Sequence, residues 1–136
     1  MEFIVEHRMP IPSEYNELRR VVGWPVFEDS VVKKALANSL FGVCVVYNGS
    51  TIGMGRVLGD GAIYLHLQDV IIHSDFQKQG VGKILMKELM DFVTHTAGKN
   101  TNIGLMCSKG KEEFYKGFGF IERPNEKFGA GMIKIM

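Results

Sequence analysis

Apolar and polar positions alternate along this chain with two periods, and the period changes mark its elements. Phe3–Val5 predicts a short first strand, closed by Pro10 and Pro12. In EYNELRRVVG, Tyr15, Leu18, Val21 and Val22 recur at helical spacing, with Ser13 as the expected N-cap and Gly23 as the stop. A second helix is predicted from Asp29 to Leu40, capped by Asp29 or Ser30 and stopped by Gly42. Three strand-like runs follow: GVCVVY, TIGMGRVLG and AIYLHLQDVIIH. Asn48-Gly49 and Asp60-Gly61 separate them, which predicts a meander. Gly53, Gly55 and Gly59 give the middle strand little side chain of its own and permit close approach by other groups. In the third strand, period two groups Leu65, Leu67, Asp69 and Ile71 on one face, and His66, Gln68, Val70 and Ile72 on the other.

Past Gly82 the period returns to that of a helix. Ile84, Leu85, Leu89, Phe92 and Val93 share one face, and Lys83, Lys87 and Asp91 the other. IGLMC predicts a buried parallel strand, because it follows a crossover helix. KEEFYKG predicts a short helix capped by Ser108. FGFIE and GMIKIM predict two last strands around a loop from Pro124 to Gly129. The order is β-α-α-β-β-β-α-β-α-β-β. That defines a mixed α/β class and one domain over residues 1–136, with no internal repeat or linker.

Composition narrows the function classes. The hydrophobic share of 46% supports a real core. A net charge of +1 from 16 basic and 15 acidic residues argues against general nucleic-acid binding, which needs a basic patch to release counterions. Cys44 and Cys107 sit in apolar runs outside any C-x-x-C motif, so buried free thiols are expected and no metal site is indicated. His7, His73 and His95 form no ligand pattern either. The N-terminus lacks the pattern of a signal peptide. Ala35 to Gly55 is free of charge for 21 residues, but Asn38, Ser39 and the Asn48–Thr51 turn interrupt it, so a soluble, cytoplasmic chain is expected.

The most informative chemistry lies between Leu65 and Val93. A buried strand, the turn Gln77-Lys78-Gln79-Gly80-Val81-Gly82 and a helix start together suit a phosphate. Backbone N–H groups converge there, the helix start adds unpaired donors and a positive dipole end, and glycines let the phosphate come close. Lys78 and Lys83 bring charge. The same turn matches the [Q/R]-x-x-G-x-[G/A] signature of the Gcn5-related N-acetyltransferases. About thirty residues on, Phe114-Tyr115-Lys116-Gly117-Phe118-Gly119-Phe120 looks like that family's F-Y-x-x-x-G-F segment. The order of elements resembles the family fold nearly end to end, in the manner of its small bacterial-type single-domain members. Gln68-Asp69-Val70-Ile71-Ile72 is also similar to the E-D-V-V-V run of glucosamine-phosphate acetyltransferases, a match confined to this strand.

The resemblance implies specific roles. Gln77, Lys78, Gln79, Gly80, Val81, Gly82 and Lys83 would hold the pyrophosphate of acetyl-CoA, with Ser108 counted in the same cofactor-binding set. Gln77 stands where relatives often carry Arg, and brings no charge. Val70, Ile71 and Ile72 would pair with the pantetheine arm where their strand splays from the one at 103–107, and an N–H of that strand would stabilise the oxyanion. Tyr115 matches the tyrosine that protonates the leaving thiolate; as a plain helix residue it would be a core aromatic beside Phe114. Asp69 would take the amine's proton or anchor a cationic acceptor, against the alternative of a structural hydrogen bond. The Trp24 loop borders the acceptor side in the family, where Glu28 nearby would bind a cationic amine; Gln68 is a weaker acceptor-side candidate, since a strand bulge can re-aim its face. Loop anchoring and solvation are their ordinary roles.

The expected function is transfer of an acetyl group from acetyl-CoA to a primary amine by direct attack, without a metal or a covalent enzyme intermediate; a short chain leaves little room for a protein-docking surface, which favours a small-molecule acceptor. The rival is a non-catalytic acyl-CoA-binding sensor on the same fold. No nucleic-acid or membrane partner is expected, and a homodimer is open, since family members often dimerise.

Overall fold

The computed structural model describes residues 2–136. They fall into two compact units, divided after Gly104. The first contains β1 (Ile4–Glu6), α1 (Pro12–Val21), α2 (Asp29–Ala37), β2 (Phe41–Tyr47), β3 (Ser50–Gly59), β4 (Tyr64–Ile72), a 3-10 turn (Ser74–Phe76) and α3 (Val81–Thr96). β5 (Asn102–Leu105) closes it with all but its last residue, and the sheet order is β1-β2-β3-β4-β5.

Strands β1 to β4 pair antiparallel. The hairpin between β2 and β3 turns on Asn48 and Gly49, at φ 48° and 77°, the left-handed pair that matches strand twist. At the next turn, the Asp60 carboxylate accepts the N–H groups of Ala62, Ile63 and Tyr64. β5 instead lies parallel to β4. The Asn102 N–H donates to the Ile63 carbonyl at 2.8 Å, and Gly104 lies beside His66, so both chains advance together and the sheet is mixed.

Helices cover both faces of this sheet. Tyr15 and Leu18 of α1 and Val32 and Leu36 of α2 pack with Met54 and Ile71. Gly53 and Gly55, pointing opposite to Met54, receive α3. A Cβ at Gly53 would stand 3.2 Å from Val81, and one at Gly55 would stand 2.9 Å from Leu89. The glycines of the middle strand therefore set how closely α3 approaches. Phe92 on α3 stacks on Phe41 with ring centroids 4.6 Å apart.

Several expected boundaries shift for identifiable reasons. Ser13 is inside α1, whose N-cap is Ile11 with Pro12 at the first helical position, where a missing N–H costs nothing. Glu14 reaches back to the Ile11 N–H at 2.8 Å. Gly23, at φ 84°, ends that helix as expected. Glu28, not Asp29 or Ser30, caps α2, and α2 stops at Ala37 because the Leu40 N–H already joins the sheet through the Val57 carbonyl. α3 starts at Val81, so Gly82 lies in its first turn.

The second unit holds the last residue of β5 and α4 (Glu112–Lys116). Lys111, not Ser108, precedes α4 as N-cap; Ser108 contributes its carbonyl to a turn with the Lys111 N–H. FGFIE and GMIKIM do not form strands. Residues 117–119 turn, and residues 121–136 are exposed throughout. A strand is held by a partner's ladder, and neither run has one among the described residues. Cys44 and Cys107 are both free thiols. Cys44 is buried, but Cys107 is only half-buried, against the expectation for both.

Candidate active site

The central irregularity is in β4. Gln68 pairs with Arg56 and Ile71 with Met54, so Asp69 and Val70 together oppose Gly55. This is a β-bulge, with Asp69 at φ 54°. It breaks the predicted faces. Leu67 opposes Val57 on the α3 side, whereas Asp69 and Ile71 point toward α1 and α2. All four grouped residues are buried because each face has its own helices.

The bulge has a cause in the side chains around it. Asp69 is 3% exposed, and its carboxylate accepts three hydrogen bonds. Tyr15 Oη donates to Oδ2 at 2.7 Å, Arg56 Nε to Oδ2 at 2.8 Å, and Arg19 Nη1 to Oδ1 at 2.8 Å. Arg56 Nη1 also donates to Ser39 Oγ at 3.0 Å and to the Ala35 carbonyl. Burying an ion pair is costly unless its remaining donors are satisfied, and here they are. Burial, then the Asp69 charge, raises the Tyr15 phenol above its ordinary value, so it stays a donor at neutral pH. Tyr15, Arg19 and Arg56 are not evident as site residues in the pattern of the chain. The available signal was Arg56, a charge in an otherwise apolar strand, facing the lone acid of the next strand.

β5 runs beside only the first part of the outer edge of β4. β4 has nine residues and β5 four, and β5 aligns from Ile63 onward. The segment from Gln68 to Ile72 therefore extends past β5, with Gln68, Val70 and Ile72 half-buried and Ile71 buried. Such an edge offers main-chain groups to an extended ligand. One group is already engaged: the Gln77 side chain donates to the Ile72 carbonyl at 3.1 Å, stapling the turn to the strand. The neutral amide thus has a structural partner that an outward-facing charge would not need.

The turn itself is built on left-handed backbone. Lys78 has φ 63° and Gly80 φ 85°, and Gly80 is the N-cap of α3 without a side-chain capping bond. The first-turn N–H groups of a sixteen-residue helix are thus uncapped by side chain and lie beside exposed Gln79, Lys78 and Lys83. A Cβ at Gly80 would meet nothing within 4 Å, so there is open space over the turn. Gln79 donates to the Asp75 carbonyl at 3.3 Å. Donors, dipole, nearby charge and room fit the pyrophosphate of acetyl-CoA.

On the α1 side, Trp24 is half-buried and packs on the core cluster, with the Arg19 guanidinium 5.4 Å from its ring centroid. Glu28 is exposed and caps α2 through its backbone carbonyl. In the second unit, Tyr115 sits in α4 with its ring 5.1 Å from Phe114 and 6.3 Å from Phe120. Burial, with a smaller contribution from Cys107, raises its phenol above the ordinary range. Ser108 is exposed. Burial pushes the Cys44 thiol up to about 12, which removes it as a nucleophile at neutral pH.

Comparison with known proteins gives the class. The family model for the acetyltransferase (GNAT) domain matches residues 16–135. The chain belongs to the GNAT acetyltransferase family. An uncharacterized N-acetyltransferase, ycf52, of Pyropia yezoensis is 30% identical over 116 residues, covering 82% of this chain and 66% of that protein. The ycf52 protein of Gracilaria tenuistipitata var. liui is 34% identical over 108 residues, covering 76% and 58%. The chain thus spans about three fifths to two thirds of these relatives' lengths. Among solved structures, a probable acetyltransferase of Meticillin-resistant Staphylococcus aureus superimposes with a TM-score of 0.89 at 26% identity, covering 98% of this chain and 100% of that one. No helix among the described residues is long and apolar enough to cross a membrane.

Proposed function

We propose that the protein transfers an acetyl group from acetyl-CoA to a primary amine of a small molecule. The observation that carries this is the bulge at Asp69–Val70 on a strand that extends past β5, followed after a short turn by a helix N-terminus without a side-chain cap. When bound, acetyl-CoA supplies the electrophilic acyl carbon and the thiol leaving group. Gly80, Val81, Gly82 and Lys83 would hold its pyrophosphate with backbone donors, while Lys78 adds charge. Val70, Ile71 and Ile72 would align the pantetheine arm, and an N–H at the bulge would polarise the acyl carbonyl.

Tyr115 is the proton donor in this reading. Its raised phenol pKa keeps the proton in place at neutral pH until a sulfur anion needs it. Asp69 is assigned to shaping the bulge instead of accepting the amine's proton, because its two oxygens already take three donors. Trp24, Glu28 and Gln68 are assigned to the acceptor side, and Ser108 to the cofactor. The same reading has the chain acting in the cytoplasm, with no nucleic acid, membrane or metal required.

The test is release of free CoA from acetyl-CoA across a panel of amino sugars, polyamines, amino acids and lysine peptides. Turnover confined to lysine peptides would overturn the small-molecule part. Tight binding with no turnover on any amine would favour an acyl-CoA sensor. Tyr115→Phe is expected to lower kcat by about a hundredfold, with the acetyl-CoA dissociation constant nearly unchanged. Unaltered kcat would remove Tyr115 from the reaction.

A further inference from the structure

One side chain outside the cofactor turn touches two elements that the reaction needs held together. The loop between α1 and α2, residues 22–28, has two side-chain fastenings on α1, beside the main-chain bonds from the Gly23 and Trp24 N–H groups to the Arg20 and Arg19 carbonyls. Asn16 clasps Phe27 from both sides, its Nδ2 donating to the Phe27 carbonyl at 2.7 Å and its Oδ1 accepting the Phe27 N–H at 3.2 Å. One turn on, Arg19 Nε donates to the Pro25 carbonyl at 2.6 Å. The same guanidinium reaches across to Asp69 Oδ1 at 2.8 Å through Nη1. Its flat faces lie among three aromatic rings, 5.5 Å from Tyr15, 5.4 Å from Trp24 and 5.3 Å from Phe27. The Arg19 side chain is 12% exposed and the Asp69 side chain 1%.

We infer that Arg19 is a positioning residue that couples the α1–α2 loop to the β4 bulge, so that the loop bearing Trp24 and the main chain at Asp69–Val70 take up their places together. The inference rests on the acetyl-transfer reading for what the bulge does. Its physical basis is that one rigid, planar cation bonds directly to both elements. Displacing the loop by an ångström must either break the bond from Arg19 to the Pro25 carbonyl or drag the guanidinium against Asp69, the residue on which the left-handed bulge is centred. Lysine cannot substitute: a single ammonium lacks the fork that serves the Pro25 carbonyl and the Asp69 carboxylate at once, and it does not stack on rings. Asn16 supplies the contrast, since it fastens the loop without contacting β4.

The chain has one tryptophan, Trp24, which reports the loop directly. The experiment titrates acetyl-CoA into the full chain, follows Trp24 emission, and measures affinity separately by calorimetry. In the unmodified protein, binding at the bulge is expected to shift Trp24 emission. In Arg19→Lys that shift, read at acetyl-CoA concentrations that calorimetry shows to saturate the protein, should fall by about tenfold. Asn16→Ala should alter the resting emission yet keep the shift. Asp69→Asn, which weakens the same link from the other end at nearly constant shape, should lose it, and decides the matter if Arg19→Lys proves unfolded by circular dichroism. A full shift in a folded Arg19→Lys or Asp69→Asn protein would overturn the coupling alone. So would loss of the shift in Asn16→Ala, since loop slackness would then suffice. Failure of the unmodified protein to bind acetyl-CoA would instead overturn the functional reading, and the coupling with it.

Discussion

At the scale of single residues, this molecule concentrates its electrostatics in two clusters with different exposure. Asp69 lies deep, between Arg19, Arg56 and Tyr15. Glu14 lies nearer the surface, where Arg8 donates to both its oxygens at 2.9 and 3.1 Å and Thr51 adds a further bond. The Arg8 guanidinium holds the Glu14 carboxyl at about 2, from an ordinary 4.5, against the opposing effect of burial. A depressed carboxyl stabilises the fold above its unfolded pKa, and that contribution is lost as pH falls toward the folded one. Melting temperature should therefore drop between pH 4.5 and pH 2, and the drop should be shallower in Glu14→Gln. Parallel melting profiles for the two proteins across that window would refute the assignment.

Among the elements, β4 and the start of α3 carry the candidate site. Gly80 is in the left-handed region with nothing near its missing Cβ, so an alanine there meets strain without a clash. Gly80→Ala should cost about 1–2 kcal/mol of stability, measured by urea denaturation. It should also weaken acetyl-CoA binding by about tenfold, because the added methyl occupies the space above the turn. Unchanged calorimetric affinity would place the pyrophosphate elsewhere.

Much of this was legible from local rules. Asn48-Gly49 and Asp60-Gly61 marked the meander because each has a turn chemistry of its own. Gly80 marked the turn because its left-handed backbone suits glycine. The bulge was not legible. It is held by side chains from α1 and β3, so no window of β4 contains its cause. The boundaries of α1 and α2 moved for a similar reason: Pro12 and Glu14 outcompete Ser13 as a start signal, and Leu40 is claimed by β3. The last two strand patterns, FGFIE and GMIKIM, were local preferences without a partner to pair with.

For the molecule as a whole, the two units differ in how they hold their residues. In the first unit, residues 41–72 include the most deeply buried strands, and Arg56 is 9% exposed. In unit 105–136, every residue from 121 on is exposed, including Ile133 and Ile135. Brief trypsin treatment should therefore cut first after Lys127 and Lys134, well ahead of Arg56. Intact-mass spectrometry of the early products checks this, and an early fragment ending at Arg56 would contradict it. The family match from residue 16 to 135 spans both units, so the exposed segment is part of the shared domain.

The hydroxyl of Tyr15 bonds to a carboxylate 54 positions away along the chain. Loops of that length close slowly compared with a two-residue hairpin, so the meander should be assembled before α1 settles on it. The Tyr15–Asp69 bond then belongs to the late side of the folding barrier. In stopped-flow experiments, Tyr15→Phe should leave the refolding rate nearly unchanged and speed unfolding. The bond that shapes the bulge would thus act as a latch on the finished protein, setting how long the native state lasts instead of how fast it forms.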